Sequence, residues 1–124
     1  MNILNYSRRA ALWLFWPALA IIVWGELTPS APDPFDLWDK LLHFTAYFGL
    51  SGLAWVALGG GRRGWLGMLG LIAFGGLLEL VQGAVGRDVS FADELANTLG
   101  VVMGGLAGLW FLALSRLVGS RRAD

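Results

Sequence analysis

The chain has no cysteine, a single histidine, and charged residues at only 15% of its 124 positions. Without cysteine there is no disulfide and no thiolate metal site. One histidine leaves few ways to build any metal centre. Lysine plus arginine and aspartate plus glutamate balance at nine each, and nucleic-acid binding is not expected because the arginine pairs are accounted for by membrane topology. Proline is scarce and uneven: of four, three (Pro29, Pro32 and Pro34) fall in one segment, TPSAPDPFDLWDK. That segment cannot be a continuous helix and is predicted to be an extended, partly stiff loop.

Apolar residues fill the space left by these absences. They make up 56% of the chain, with 18 glycines and a mean hydropathy of +0.62, which is too apolar for an ordinary soluble domain of this size. Four runs carry little or no charge: residues 10–25, 41–61, 64–78 and 95–115. The third extends toward Gly86 if Glu79 and Gln82 are accommodated. A bilayer core needs about 20 apolar residues per helix, so each run is long enough to span when its flanks reach the interface. A soluble bundle would need polar outer faces, and these runs are apolar nearly all round. The predicted fold is therefore all-α, a four-helix transmembrane bundle in a single domain, with spans at about 10–27, 41–59, 65–84 and 93–115.

Arginine sets the orientation, because short cytoplasmic loops carry an excess of Lys and Arg. Arg8, Arg9, Arg62, Arg63, Arg116, Arg121 and Arg122 fall on one side, leaving Lys40 and Arg87 for the other. Both termini are thus expected in the cytoplasm. Trp13, Trp16, Trp55, Trp65 and Trp110 lie near the expected inner ends and Trp24 and Trp38 near the outer ones, as interfacial tryptophans do. Arg8 and Arg9 before an apolar stretch could begin a signal peptide. No small-residue cleavage site follows at the right distance, so an uncleaved anchor is expected. GGGRR, residues 59–63, reads as a tight inner turn.

The polar residues break this pattern in one place. Lys40, His43, Phe44 and Tyr47 are spaced to share a helix face. At about 1.5 Å of rise per residue, His43 and Tyr47 lie roughly 5 and 10 Å below Lys40. Glu79 and Gln82 share a face near the outer end of the third span, and Asp93 and Asn97 lie one turn apart on the fourth. Together with Arg87 they form a polar layer just inside the outer side, and groups this polar are expected to face inward. Glu79 is expected to pair with Lys40, His43 or Arg87. Ser90 and Asp93 resemble a capping box with a short acidic member. Gly100, Gly104 and Gly108 form a small-residue stripe that lets another helix come close. A faint internal echo joins the halves: GEL at residues 25–27 matches LEL at 78–80, and Asp39 and Asp93 each open the next span.

DKLLHFTAYFGL (residues 39–50) and ELVQGAVGRDVSFADELANTLGVVMGG (residues 79–105) resemble the VanZ-like family of small bacterial membrane proteins. The likeness rests on the order Asp-Lys-x-x-His-Phe, Glu-x-x-Gln, then Arg-Asp-x-x-x-x-Asp-x-x-x-Asn-x-x-Gly, and covers the second to fourth spans. It implies a multi-pass protein of the bacterial plasma membrane whose motif falls on Lys40, His43, Tyr47, Glu79, Gln82, Arg87, Asp93 and Asn97. It also implies a link to the cell envelope and to teicoplanin resistance.

Two kinds of function fit these residues. As a binding site, Lys40 and Arg87 would hold an anionic lipid or lipid-linked precursor head group, Gln82 and Asn97 would orient it, and Glu79 and Asp93 would balance charge. As an enzyme, His43 would act as general acid or base, oriented by Glu79, on a lipid-linked phosphoester or glycan. Binding is the expected function. No cofactor or metal is expected, the weaker alternative being a metal held by His43, Glu79 and Asp93. A scaffold for a partner protein, or a homo-oligomer, is the remaining possibility.

Overall fold

The computed structural model describes residues 3–28, 37–86 and 89–120. Arg87 and the three prolines of the long loop lie outside these residues. Four helices follow one another: α1 (Ile3–Leu27), α2 (Leu37–Leu58), α3 (Gly61–Ala84) and α4 (Phe91–Ser120). There is no strand among the described residues. Each helix is long and apolar enough to cross a membrane, which marks a multi-pass membrane protein. Each also starts ahead of its apolar run. Hydropathy reports which residues suit hydrocarbon, whereas the backbone ladder continues through polar residues such as Asp39 and Lys40 that can face the bundle interior or the interface.

Leucine and tryptophan side chains cover the outside. Trp13, Ile21, Leu42, Leu66, Leu69, Leu77, Leu80 and Trp110 are all largely exposed, while Glu79, Gln82 and Asn97 are buried. This inverts the pattern of a soluble bundle and fits a chain surrounded by lipid. Trp55 departs from the interfacial role expected of it. It is buried, packs edge-on against Trp65 at 5.2 Å, and forms the core with Tyr47, Leu50, Ala54, Met68, Leu71, Val101 and Leu112. Gly64 and Gly108 leave room for its ring and Cβ, which a tally of tryptophans near helix ends cannot reveal.

The most extensive helix pairing is α2 with α4. Lipid supplies no hydrophobic drive for helices to associate, so close packing has to hold them. The glycine stripe provides it. A Cβ on Gly100 or Gly104 would collide with the backbone carbonyl of Phe44 or Phe48, and one on Gly108 would stand 3.0 Å from that of Gly52. The contacts advance in step along both helices, so α2 and α4 run parallel, as two successive hairpins require. Ser51 Oγ adds a hydrogen bond to the Val101 carbonyl at 2.7 Å.

The arginine-rich end is closed by backbone contacts. The reversal between α2 and α3 is made by Gly59, Gly60 and Gly61, with φ of 77°, 74° and 61°. Arg62 and Arg63, expected in this turn, belong instead to the first turn of α3. Arg8 donates to the carbonyl of Ala57 and Arg116 to that of Gly59, both at 3.3 Å. The Ala57 carbonyl is one that the end of α2 leaves without a helical partner, and the Gly59 carbonyl belongs to the turn that follows.

Candidate functional site

The opposite, arginine-poor end holds the polar residues. Every described member of the expected layer is there: Lys40, His43 and Tyr47 on α2, Glu79 and Gln82 on α3, Asp93 and Asn97 on α4. All but Lys40 are buried. Arg87 lies outside the described residues.

His43 is the centre of the network. Its Nδ1 lies 3.0 Å from Asn97 Oδ1 and 3.5 Å from Glu26 Oε1, and its Nε2 lies 3.8 Å from Asp39 Oδ2. With the proton on Nδ1, the ring donates to Asn97 and turns Nε2 toward Asp39. Tyr47, fully buried, donates to Glu26 Oε2 at 3.5 Å. Gln82 Nε2 donates to the Glu26 backbone carbonyl at 2.8 Å, which ties α3 to the end of α1.

Glu26 is a site residue that the sequence reading leaves out. It is the penultimate residue of α1, where a carboxylate resembles an ordinary interface group. The signal was the GEL and LEL echo, which equates Glu26 with Glu79. The structure gives that echo substance: Asp39 and Asp93 come together, and His43 and Asn97, each four residues further on, bond to one another. Asp39 and Glu94 also join the layer. Glu94 accepts from Asn97 Nδ2 at 3.5 Å and Thr98 Oγ1 at 3.4 Å, alongside Gly75 of α3.

Among the described residues Glu79 meets neither Lys40 nor His43, and Arg87, the third cation expected of it, lies outside them. Glu79 Oε1 accepts the backbone N–H of Ser90, just ahead of α4. Ser90 Oγ in turn accepts the N–H of Asp93 at 3.2 Å, so half of the capping box is present. In a complete box the residue at Asp93 would return to the Ser90 N–H. The aspartate side chain is short for that bond, and Glu79 of the neighbouring helix supplies the acceptor instead. Asp93 is left to meet Lys40, with Nζ 3.6 Å from Oδ1.

The described layer thus contains the carboxylates of Glu26, Asp39, Glu79, Asp93 and Glu94, with Lys40 and His43 as its positively ionisable groups. It is rich in acceptors. A cavity of about 260 Å³ reaches it between α1 and α2, with Ile21, Ile22, Leu42 and Ala46 as apolar walls and Glu26, Asp39 and His43 as polar ends. The weaker alternative, a metal held by His43, Glu79 and Asp93, does not match the ligand atoms that converge, and Glu79 Oε1 is bonded to the Ser90 N–H instead. Among the described residues, Asp39, His43 and Asp93 are the ones that bring ligand atoms within 4.8 Å of one another.

Compared with known proteins, the chain matches no family model, no curated protein and no solved structure.

Proposed function

We propose that this chain is a VanZ-like protein of the bacterial plasma membrane, with both termini in the cytoplasm, that binds the head group of a lipid or lipid-linked envelope precursor at its outward polar layer. The observation that carries the reading is the groove between α1 and α2: it pairs apolar walls with Glu26, Asp39 and His43. Such a lining suits an amphiphile, with its chain against Ile21, Ile22 and Leu42 and its polar head against the buried groups. The anionic part of the head falls to Lys40 and to Arg87, which the sequence assigns to the same side. Hydroxyl or amine donors on the head would meet the carboxylates of Glu26 and Asp39, which line the groove. Teicoplanin resistance is the phenotype that the family resemblance attaches to such binding.

Gly25 gives a direct test. It lines the groove, and a Cβ there meets nothing within 4 Å, so a larger side chain is accommodated without a clash and is expected to occupy the groove. Gly25→Leu is expected to fold normally and to lose lipid retention, measured as co-purified lipid per protein by native mass spectrometry. Undiminished retention of the same lipid would count against the groove as the site.

Catalysis by His43 is the second reading, favoured by the orientation of its Nδ1 through Asn97 and Glu26. Its signature is turnover of an envelope lipid extract in proteoliposomes, slowed about 10²- to 10⁴-fold by His43→Gln. A head group retained without any product supports binding alone.

A further inference from the structure

We infer that Asp39, His43 and Asp93 form a binding site for a divalent first-row metal ion, Zn²⁺ or Mn²⁺, at the α2–α4 contact. Their potential ligand atoms, a carboxylate oxygen from each aspartate and a ring nitrogen of His43, lie within 4.8 Å of one another. Ligands about 2.0–2.2 Å from a shared ion stand roughly 3–4 Å apart, so a shift of about 1 Å closes the set. Two further observations point to an ion. A metal-bound imidazole usually donates its second N–H to a carboxylate or carbonyl, which fixes the ring. His43 has that support already, Nδ1 being 3.0 Å from Asn97 Oδ1, with Glu26 Oε1 behind it at 3.5 Å. Its Nε2 faces Asp39 Oδ2 at 3.8 Å, too far for a hydrogen bond but well placed to share an ion. The second observation is Asp93 Oδ1. The residue is 6% exposed, and this oxygen has no hydrogen-bond partner among the described residues.

Lys40 Nζ, 3.6 Å from that oxygen, is the competing cation. Its side chain is about a quarter exposed, so it can withdraw toward the interface when a divalent ion enters. One imidazole and two carboxylates suit Zn²⁺ or Mn²⁺ better than an all-oxygen cage built for Ca²⁺. Three protein ligands leave coordination positions open, and a phosphate oxygen would fill one. That last step alone rests on the head-group reading; the site itself does not.

The test is a titration of the chelator-stripped protein in nanodiscs of phosphatidylcholine with Zn²⁺, Mn²⁺ and, for comparison, Mg²⁺. Isothermal calorimetry gives stoichiometry and affinity, and circular dichroism confirms that each variant is folded. One equivalent of Zn²⁺ or Mn²⁺ is expected, with Mg²⁺ at least 100-fold weaker. Asn97→Ala is expected to weaken the ion about 10- to 100-fold through the imidazole it orients. Asp39→Asn, at the partly exposed edge of the cluster, is expected to weaken it more, and Lys40→Met to tighten it. If Lys40 is instead the permanent counter-ion of Asp93, no stoichiometric binding occurs and Lys40→Met only lowers thermal stability. Absence of binding to the folded wild type, or binding unchanged by Asp39→Asn, overturns the inference. Phosphatidylcholine offers the same phosphate to wild type and every variant, so the differences between them report on the protein ligands rather than on head-group binding.

Discussion

Gly104→Val is expected to separate α2 from α4 and to lower the unfolding temperature in detergent by about 10 °C or more. A Cβ at this position meets the backbone carbonyl of Phe48, which cannot rotate away as a side chain can. Overpacking against movable side chains already costs roughly 1–3 kcal/mol, and each kcal/mol shifts the midpoint of a small domain by several degrees. In lipid the loss is not offset by any hydrophobic gain elsewhere, because α2 and α4 are held by their close approach. The polar layer depends on the same approach, since Asn97 reaches His43 across this pair of helices. Gly49→Val is the control: it lies on α2 with nothing within 4 Å of its would-be Cβ. A thermal melt of both variants checks the expectation. Equal midpoints would mean that the α2–α4 contact does not hold the bundle together.

Glu79→Leu is expected to loosen the start of α4, whereas Glu79→Gln is expected to preserve it. The carboxylate accepts the Ser90 N–H from the neighbouring helix, and a glutamine oxygen can occupy the same place. Leucine cannot accept, and leaving a buried donor unsatisfied costs about 1–3 kcal/mol. The expected order of stability is wild type and Glu79→Gln together, with Glu79→Leu lower. Hydrogen exchange localises the effect: the Ser90 and Asp93 amides should exchange several-fold faster in Glu79→Leu alone. If the leucine variant matched wild type in both measurements, Glu79 would not be the acceptor that closes the cap.

The helices and the inward-facing polar positions were legible because both follow from local rules. Four apolar runs separated by arginines or turn residues specify four helices. The one-turn spacings of His43 with Tyr47 and Asp93 with Asn97 place each pair on a single face, and all four are buried. Partner choice was harder to read. Which acceptor takes the Ser90 N–H depends on how α3 enters the loop before α4, and no spacing within either helix encodes that. Glu26 was missed for a related reason: α1 offers no second polar residue one turn away, so nothing in its own periodicity turns the carboxylate inward. Its burial comes from Tyr47, His43 and Gln82 on two other helices. Trp55 likewise lies near a helix end in sequence but faces α3 and α4, where glycines have made room for it.

The cluster of acids also changes what the layer asks of a ligand. Lys40 is engaged with Asp93, so an anionic head group has to draw it away, recruit Arg87, or arrive with donors that the carboxylates can use. A bare phosphate satisfies little of this arrangement. A head group carrying both phosphate and hydroxyl or amine groups satisfies more, because Glu26 and Asp39 open onto the groove from which it would enter.

Whether the polar layer receives the head of an amphiphile through the groove between α1 and α2 can be seen in a density map of the protein in native lipid. An elongated feature is expected along Ile21, Ile22 and Leu42, ending in head-group density within hydrogen-bonding distance of Glu26, Asp39 or His43. A groove closed by α1 lying flat on α2, with these side chains bonded only to one another, would contradict this expectation and reduce the layer to structural packing.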